Sequence, residues 1–310
     1  MRSAVWILIL MLSSLLVACK RGDEAPKSEF LRGITYGNGL FVAVGEGGAV
    51  FTSQDAETWI KQDSGANETL TDVAYGNNLF VAADGLGRVL TSLDGRTWTV
   101  QISLGLPLAF ERITYANGLF IALGPYPWVL TSPNGATWRR QSLKADTPRT
   151  WLTDITYGNG RFVAVGMEGA IVTSLDGVIW VNQRTEPDKL LSGIAYGKNL
   201  FVAVGLGDEI FVSRDGEVWT AQVSGASAWL RSVTYGKGLF VAVGVGRGGG
   251  VIMTSTDGMA WTLRASGIRE GLRRITYGGG RFVAVGEDAV FVSEDGMAWT
   301  RKKIKNQRMD

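Results

Sequence analysis

Histidine is absent from the 310 residues. The commonest general base and the commonest neutral metal ligand are therefore missing. One cysteine, Cys19, leaves neither an internal disulfide nor a thiolate metal cluster. Proline is scarce, at 7 residues, and no helical period is sustained outside the first 18 residues. Charge of one sign is lacking too. The net charge is +2, and the basic residues are scattered, unlike the basic face of a nucleic-acid binder. No isolated carboxylate pair suits acid–base work on a glycoside. These absences point away from an enzyme, and no cofactor or metal is expected.

Glycine, by contrast, is abundant. Its 42 residues are roughly twice the usual ~7% share, and 11 tryptophans accompany them. Tight turns between apolar strands fit both excesses.

The amino terminus reads as an address. Arg2 is followed by an uncharged run from Ala4 to Ala18, shorter than the ~20 residues a spanning helix needs. It ends in Leu16-Val17-Ala18-Cys19, which resembles the lipobox of bacterial lipoproteins. That resemblance implies a signal peptide over 1–18, a diacylglycerol on the Cys19 thiol, and a tether over 19–30. Lys20, in place of an aspartate, implies sorting to the outer membrane if the host is Gram-negative. The expected localisation is the cell envelope, with the membrane engaged through the N-terminal lipid.

From residue 31 the chain repeats. Tyr36 recurs as Tyr75, Tyr115, Tyr157, Tyr196, Tyr235 and Tyr277. Phe41 recurs as Phe80, Phe120, Phe162, Phe201, Phe240 and Phe282. Trp59, Trp98, Trp138, Trp180, Trp219, Trp261 and Trp299 close the units. Three markers, each present seven times at a period of about 40 residues, predict a β-propeller. The expectation is an all-β, seven-bladed propeller of four-stranded antiparallel blades over 31–310, with blades starting near 31, 70, 110, 152, 191, 230 and 272. Ring closure by strand exchange is not evident, because no spare tryptophan strand precedes Leu31.

Within each unit, Asn38-Gly39 and its equivalents suit a type I′ hairpin. The Leu-Phe-Val-Ala-Val strand that follows is apolar at successive positions, as expected of a strand covered on both faces. A later turn reads Ser92-Leu93-Asp94-Gly95-Arg96-Thr97-Trp98. Its acidic or amide position is Asp55, Asp94, Asn134, Asp176, Asp215, Asp257 and Asp295. A carboxylate there accepts backbone N–H groups, so the motif is structural. It is similar to the Asp-box (BNR repeat) of sialidase-type propellers, though one residue shorter before the tryptophan. Thr91, Asp94, Gly95, Thr97, Trp98 and Gln101 more closely resemble the propeller of photosystem II assembly and stability factors and their non-photosynthetic relatives. That resemblance implies a non-enzymatic assembly role.

Function belongs where the repeats differ. Two variable positions open each inner strand: Arg32-Gly33, Thr71-Asp72, Glu111-Arg112, Thr153-Asp154, Ser192-Gly193, Arg231-Ser232 and Arg273-Arg274. Ring closure would bring Arg32, Arg231, Arg273 and Arg274 into one basic arc at the channel mouth. Asp72, Glu111 and Asp154 would make an acidic arc opposite. An aromatic group, Tyr126, Trp128 and Trp151, offers a second candidate binding surface. The expected activity is a membrane-anchored, monomeric protein-interaction module whose basic arc takes an acidic partner segment. A glycan-binding surface lipoprotein using Tyr126 and Trp128 is the alternative. A plain surface spacer is a third.

Overall fold

A computed structural model describes residues 30–103, 110–124, 129–141, 150–183, 189–264, 267–287 and 289–304. Cys19, Tyr126 and Trp128 lie outside the described residues, as do the signal peptide and nearly all of the tether.

In the first repeat, Leu31–Gly37, Leu40–Gly45, Val50–Ser53 and Ile60–Gln62 pair in that order as an antiparallel meander. Asn38 and Gly39 join the first two strands with φ of 50° and 75°. Two successive residues of positive φ match the right-handed twist of the hairpin, and glycine adopts this conformation without penalty. The second strand is buried at all six positions.

Among the described residues the sheets number six, not seven. Five have four strands and one has six, so the expected seven four-stranded blades are corrected to six blades. The departure lies in repeats five and six. Strand Leu200–Ser213 runs unbroken for 14 residues, and Thr220–Gly236 for 17. Leu206 pairs with Trp229 and Gly207 with Ala228, so hydrogen bonding bridges the linker between the two repeats. No proline interrupts either strand, but the pairing shifts register between Gly207 and Glu209, where residues 224–227 bulge out and Gly225 takes a φ of 72°. Two sequence repeats thus share one six-stranded sheet.

Between neighbouring sheets the joints are built from side chains. Within each sheet the repeat tyrosine tilts over the repeat phenylalanine of the adjacent strand, with ring centroids 4.6 Å apart for Tyr36 and Phe41. Such a pair contributes about 0.5–1.5 kcal/mol beyond its buried area. The first and last sheets close the ring by apolar side-chain packing. Leu31, Ile34 and Phe41 share a buried cluster with Val283, Val285, Val290 and Val292. Arg281 donates to the Asp55 carbonyl at 2.6 Å and pairs with Glu57 at 3.0 Å. The Phe30 carbonyl, just before the first strand, accepts the Glu46 N–H at 3.0 Å.

Candidate functional site: the channel and its mouth

The start of six of the seven inner strands carries an extra residue. In the first repeat Leu31 pairs with Gly45 and Gly33 with Val44, which leaves Arg32 bulged. The same irregularity recurs at Leu70/Asp72, Leu152/Asp154, Leu191/Gly193, Leu230/Ser232 and Leu272/Arg274. The extra residue is the first of the two variable positions, which stays partly exposed while the second turns inward.

The inward positions build a buried ionic layer. The Asp72 and Asp154 side chains are 0% and 1% exposed. Arg112 bridges them, with Nη1 2.8 Å from Asp72 Oδ2 and Nε 2.6 Å from Asp154 Oδ1. Burial works against the Arg112 charge, but attraction to Asp154 and Asp72 outweighs it and raises the pKa. The carboxylates also staple neighbouring repeats. Asp72 accepts the Ile113 N–H at 3.0 Å, and Asp154 accepts the Ile194 N–H at 3.0 Å.

Arg274 belongs to this layer and not to the surface arc. Its side chain is 12% exposed, and its Nη1 lies 3.7 Å from Asp154 Oδ2. Burial, then repulsion from Arg112, lowers its pKa. Of the acidic arc, Asp72 and Asp154 are enclosed and neutralised, so the mouth does not have the opposed acidic side expected. Glu111 alone of the three stays partly exposed.

The outward positions do bring Arg32, Arg231 and Arg273 together. Arg32 is held by Glu46, with Nη2 to Oε1 2.7 Å. Arg231 stacks over the Trp229 ring, its guanidinium carbon 4.6 Å from the centroid. Trp229 is fixed in turn by its indole N–H, which donates to Ser192 Oγ at 2.7 Å. Burial depresses the Arg231 pKa, with attraction to Glu287 opposing and repulsion from Arg32 adding to the effect. Burial, then repulsion from Arg32 and Arg231, brings Arg273 down to about 10. Among the described residues, neither Arg231 nor Arg273 has a carboxylate within ion-pair distance.

Trp229 and Glu46 are the members of this cluster that sequence reasoning did not select. A tryptophan also precedes the strand-opening leucine at Trp151-Leu152, a signal that could have marked Trp229-Leu230. Trp151 itself is half-buried, and its carbonyl accepts the Met167 N–H at 2.9 Å.

The turn motif is fully occupied by its own hydrogen bonds. Ser174 Oγ donates to Asp176 Oδ1 at 3.0 Å, as do the Val178 and Ile179 N–H groups at 2.8 and 2.9 Å. Trp180 Nε1 donates to the Gly177 carbonyl at 3.1 Å. Asp55, Asp94, Asp215, Asp257 and Asp295 accept the same two N–H groups, as does the Asn134 amide oxygen. These bonds lower the aspartate pKa values. Among the described residues no group of three or more His, Cys, Asp or Glu is placed to hold a metal.

No family model and no curated protein matches this sequence. Solved structures share the fold. YCF48 from Cyanidioschyzon merolae is 16% identical, with a TM-score of 0.68 over 87% of this chain and 96% of that one. A structure of YCF48 bound to D1 peptide is 13% identical, with a TM-score of 0.69 over 93% and 99%. A catalytically inactive virginiamycin B lyase from Staphylococcus aureus with quinupristin is 12% identical, with a TM-score of 0.75 over 86% and 94%. The chain is thus a β-propeller resembling YCF48, on a scaffold that known proteins use both with and without catalysis.

Proposed function

We propose that this protein is a non-enzymatic interaction module, tethered to the cell envelope through Cys19, whose channel mouth receives an acidic segment of a partner protein. The observation that carries the reading is the Arg32–Arg231–Arg273 cluster. Two partly buried guanidiniums without carboxylate partners among the described residues are held against mutual repulsion, an arrangement that a bound anion would relieve. The inward-facing charges, by contrast, neutralise one another and leave nothing for a partner. The peptide complex of YCF48 supports a peptide-binding use of the fold. Catalysis of the lyase type finds no support: that structure is of a variant inactivated by replacing a histidine with alanine, and this chain has no histidine.

The test is binding of a fluorescent acidic peptide, together with crosslinking capture from native membranes. The wild type is compared with Arg32→Glu/Arg231→Glu/Arg273→Glu. Arg274 is left intact because it belongs to the buried layer. Capture and peptide binding lost in the variant support the reading, and retention of both overturns it. Tethering is tested separately: Cys19→Ala should release the protein from the membrane fraction.

A further inference from the structure

Beneath the ionic layer the channel forms a well of about 380 Å³. This is near the small end of the ~300–1,000 Å³ range of sites that hold small organic molecules. Arg112 is the sole charged residue among those lining it, and Asp72 and Asp154 compensate its charge. The wall is built from the inner strands; those of six repeats are terminal in their sheets, so one backbone edge of each faces the axis unpaired, whereas that of repeat six belongs to a strand inside the six-stranded sheet. Thr35, Thr114, Thr156, Thr234 and Thr276 recur at one position around that wall. None of their hydroxyls is bonded to another described residue, whereas Thr71 and Thr153 each donate to a backbone carbonyl. Five of the repeat tyrosines, Tyr75, Tyr115, Tyr157, Tyr196 and Tyr235, line the same wall.

A wall of hydroxyls and free backbone N–H and C=O groups offers donors and acceptors at many points and little apolar area. A balanced floor gives no preference for a charged guest. A guest must return the hydrogen bonds that water otherwise makes, so it must itself be rich in hydroxyls. We propose that the well binds a neutral polyhydroxylated molecule of sugar size, held by the threonine ring and the strand edges. This site is separate from the arginine cluster and does not depend on its role.

The test is saturation-transfer NMR on the full chain with D-glucose and with trehalose as probes. Wild type is compared with Thr156→Val/Thr234→Val, which keeps side-chain shape and removes two hydroxyls. The expected result is transfer to at least one sugar, reduced at least tenfold in the threonine variant. Arg231→Glu should leave the signal unchanged, and so should a rise in salt. A variant that still melts with the wild type keeps the comparison valid; should it not, single Thr156→Val and Thr234→Val proteins replace it. No transfer to either sugar overturns the proposal. Undiminished transfer in the threonine variants also overturns it, by placing the sugar elsewhere.

Discussion

Tyr36, in the first repeat, lies so close to Gly278, in the last, that a Cβ added to Gly278 would fall 2.3 Å from Tyr36 Cγ. Gly37 stands in the same relation to Tyr75, Gly76 to Tyr115, Gly158 to Tyr196, Gly197 to Tyr235 and Gly236 to Tyr277. The seam where the chain ends meet is therefore built like the seams within it. Gly278→Ala should cost about 1–3 kcal/mol, as overpacking does. The third repeat has Ala116 at this position, so the ring accommodates one methyl and the loss stays short of unfolding. Urea denaturation measures it, and an unchanged midpoint would refute the role of this contact.

Asp176→Ala should cost about 1 kcal/mol and leave partner binding intact, since its carboxylate serves only its own turn. Six such aspartates have pKa values depressed in the folded state. Their stabilisation is present above the unfolded value near 3.8 and is lost as pH falls through the lower folded values. Melting temperature recorded from pH 6 to pH 2 should fall mainly below about pH 4. A flat profile there would contradict the assignment.

Asp154 is the position where the largest loss is expected. Its carboxylate accepts the Ile194 N–H and faces both Arg112 and Arg274. Asp154→Ala strands buried guanidiniums and should cost roughly 3–5 kcal/mol. Asp154→Asn keeps a hydrogen-bonding oxygen and should cost less. The order of the two chemical-denaturation midpoints checks this.

Arg273 should act in the opposite direction. Burial, then repulsion from Arg32 and Arg231, lowers its pKa to about 10, so its charge burdens the fold at neutral pH. The unfolded chain binds more protons between about pH 10 and its ordinary value, so stability rises with pH over that window. Arg273→Met keeps the apolar stem and removes the charge. It should stabilise by about 1 kcal/mol at low salt, less at high salt, and weaken binding of the acidic peptide. A less stable Arg273→Met protein would show that packing or an unseen partner outweighs the repulsion.

Much of this architecture was legible in the chain. Tyrosine, phenylalanine and tryptophan each recur seven times because every repeat pairs the same two rings and closes the same turn with a tryptophan N–H. The Asp-box role could be read because turn chemistry is local. What could not be read depends on pairing across distance. The two variable residues that open each inner strand look equivalent in sequence, yet the bulge sends Arg273 to the mouth and Arg274 to Asp154. The fusion of repeats five and six turns on whether the linker pairs with the strand beside it. Its residues permit that pairing but do not announce it.

That fusion divides the ring into seams of unequal strength. Five junctions between sheets are crossed by the chain, and the sixth, between the last sheet and the first, is held by contacts alone. Within the six-stranded sheet, parting repeats five and six would mean breaking the Leu206–Trp229 and Gly207–Ala228 pairing as well as separating side chains. A molecule stretched or heated to the point of opening should therefore part at its unlinked junction and stay joined between repeats five and six, behaving as a clasp with one hinge reinforced.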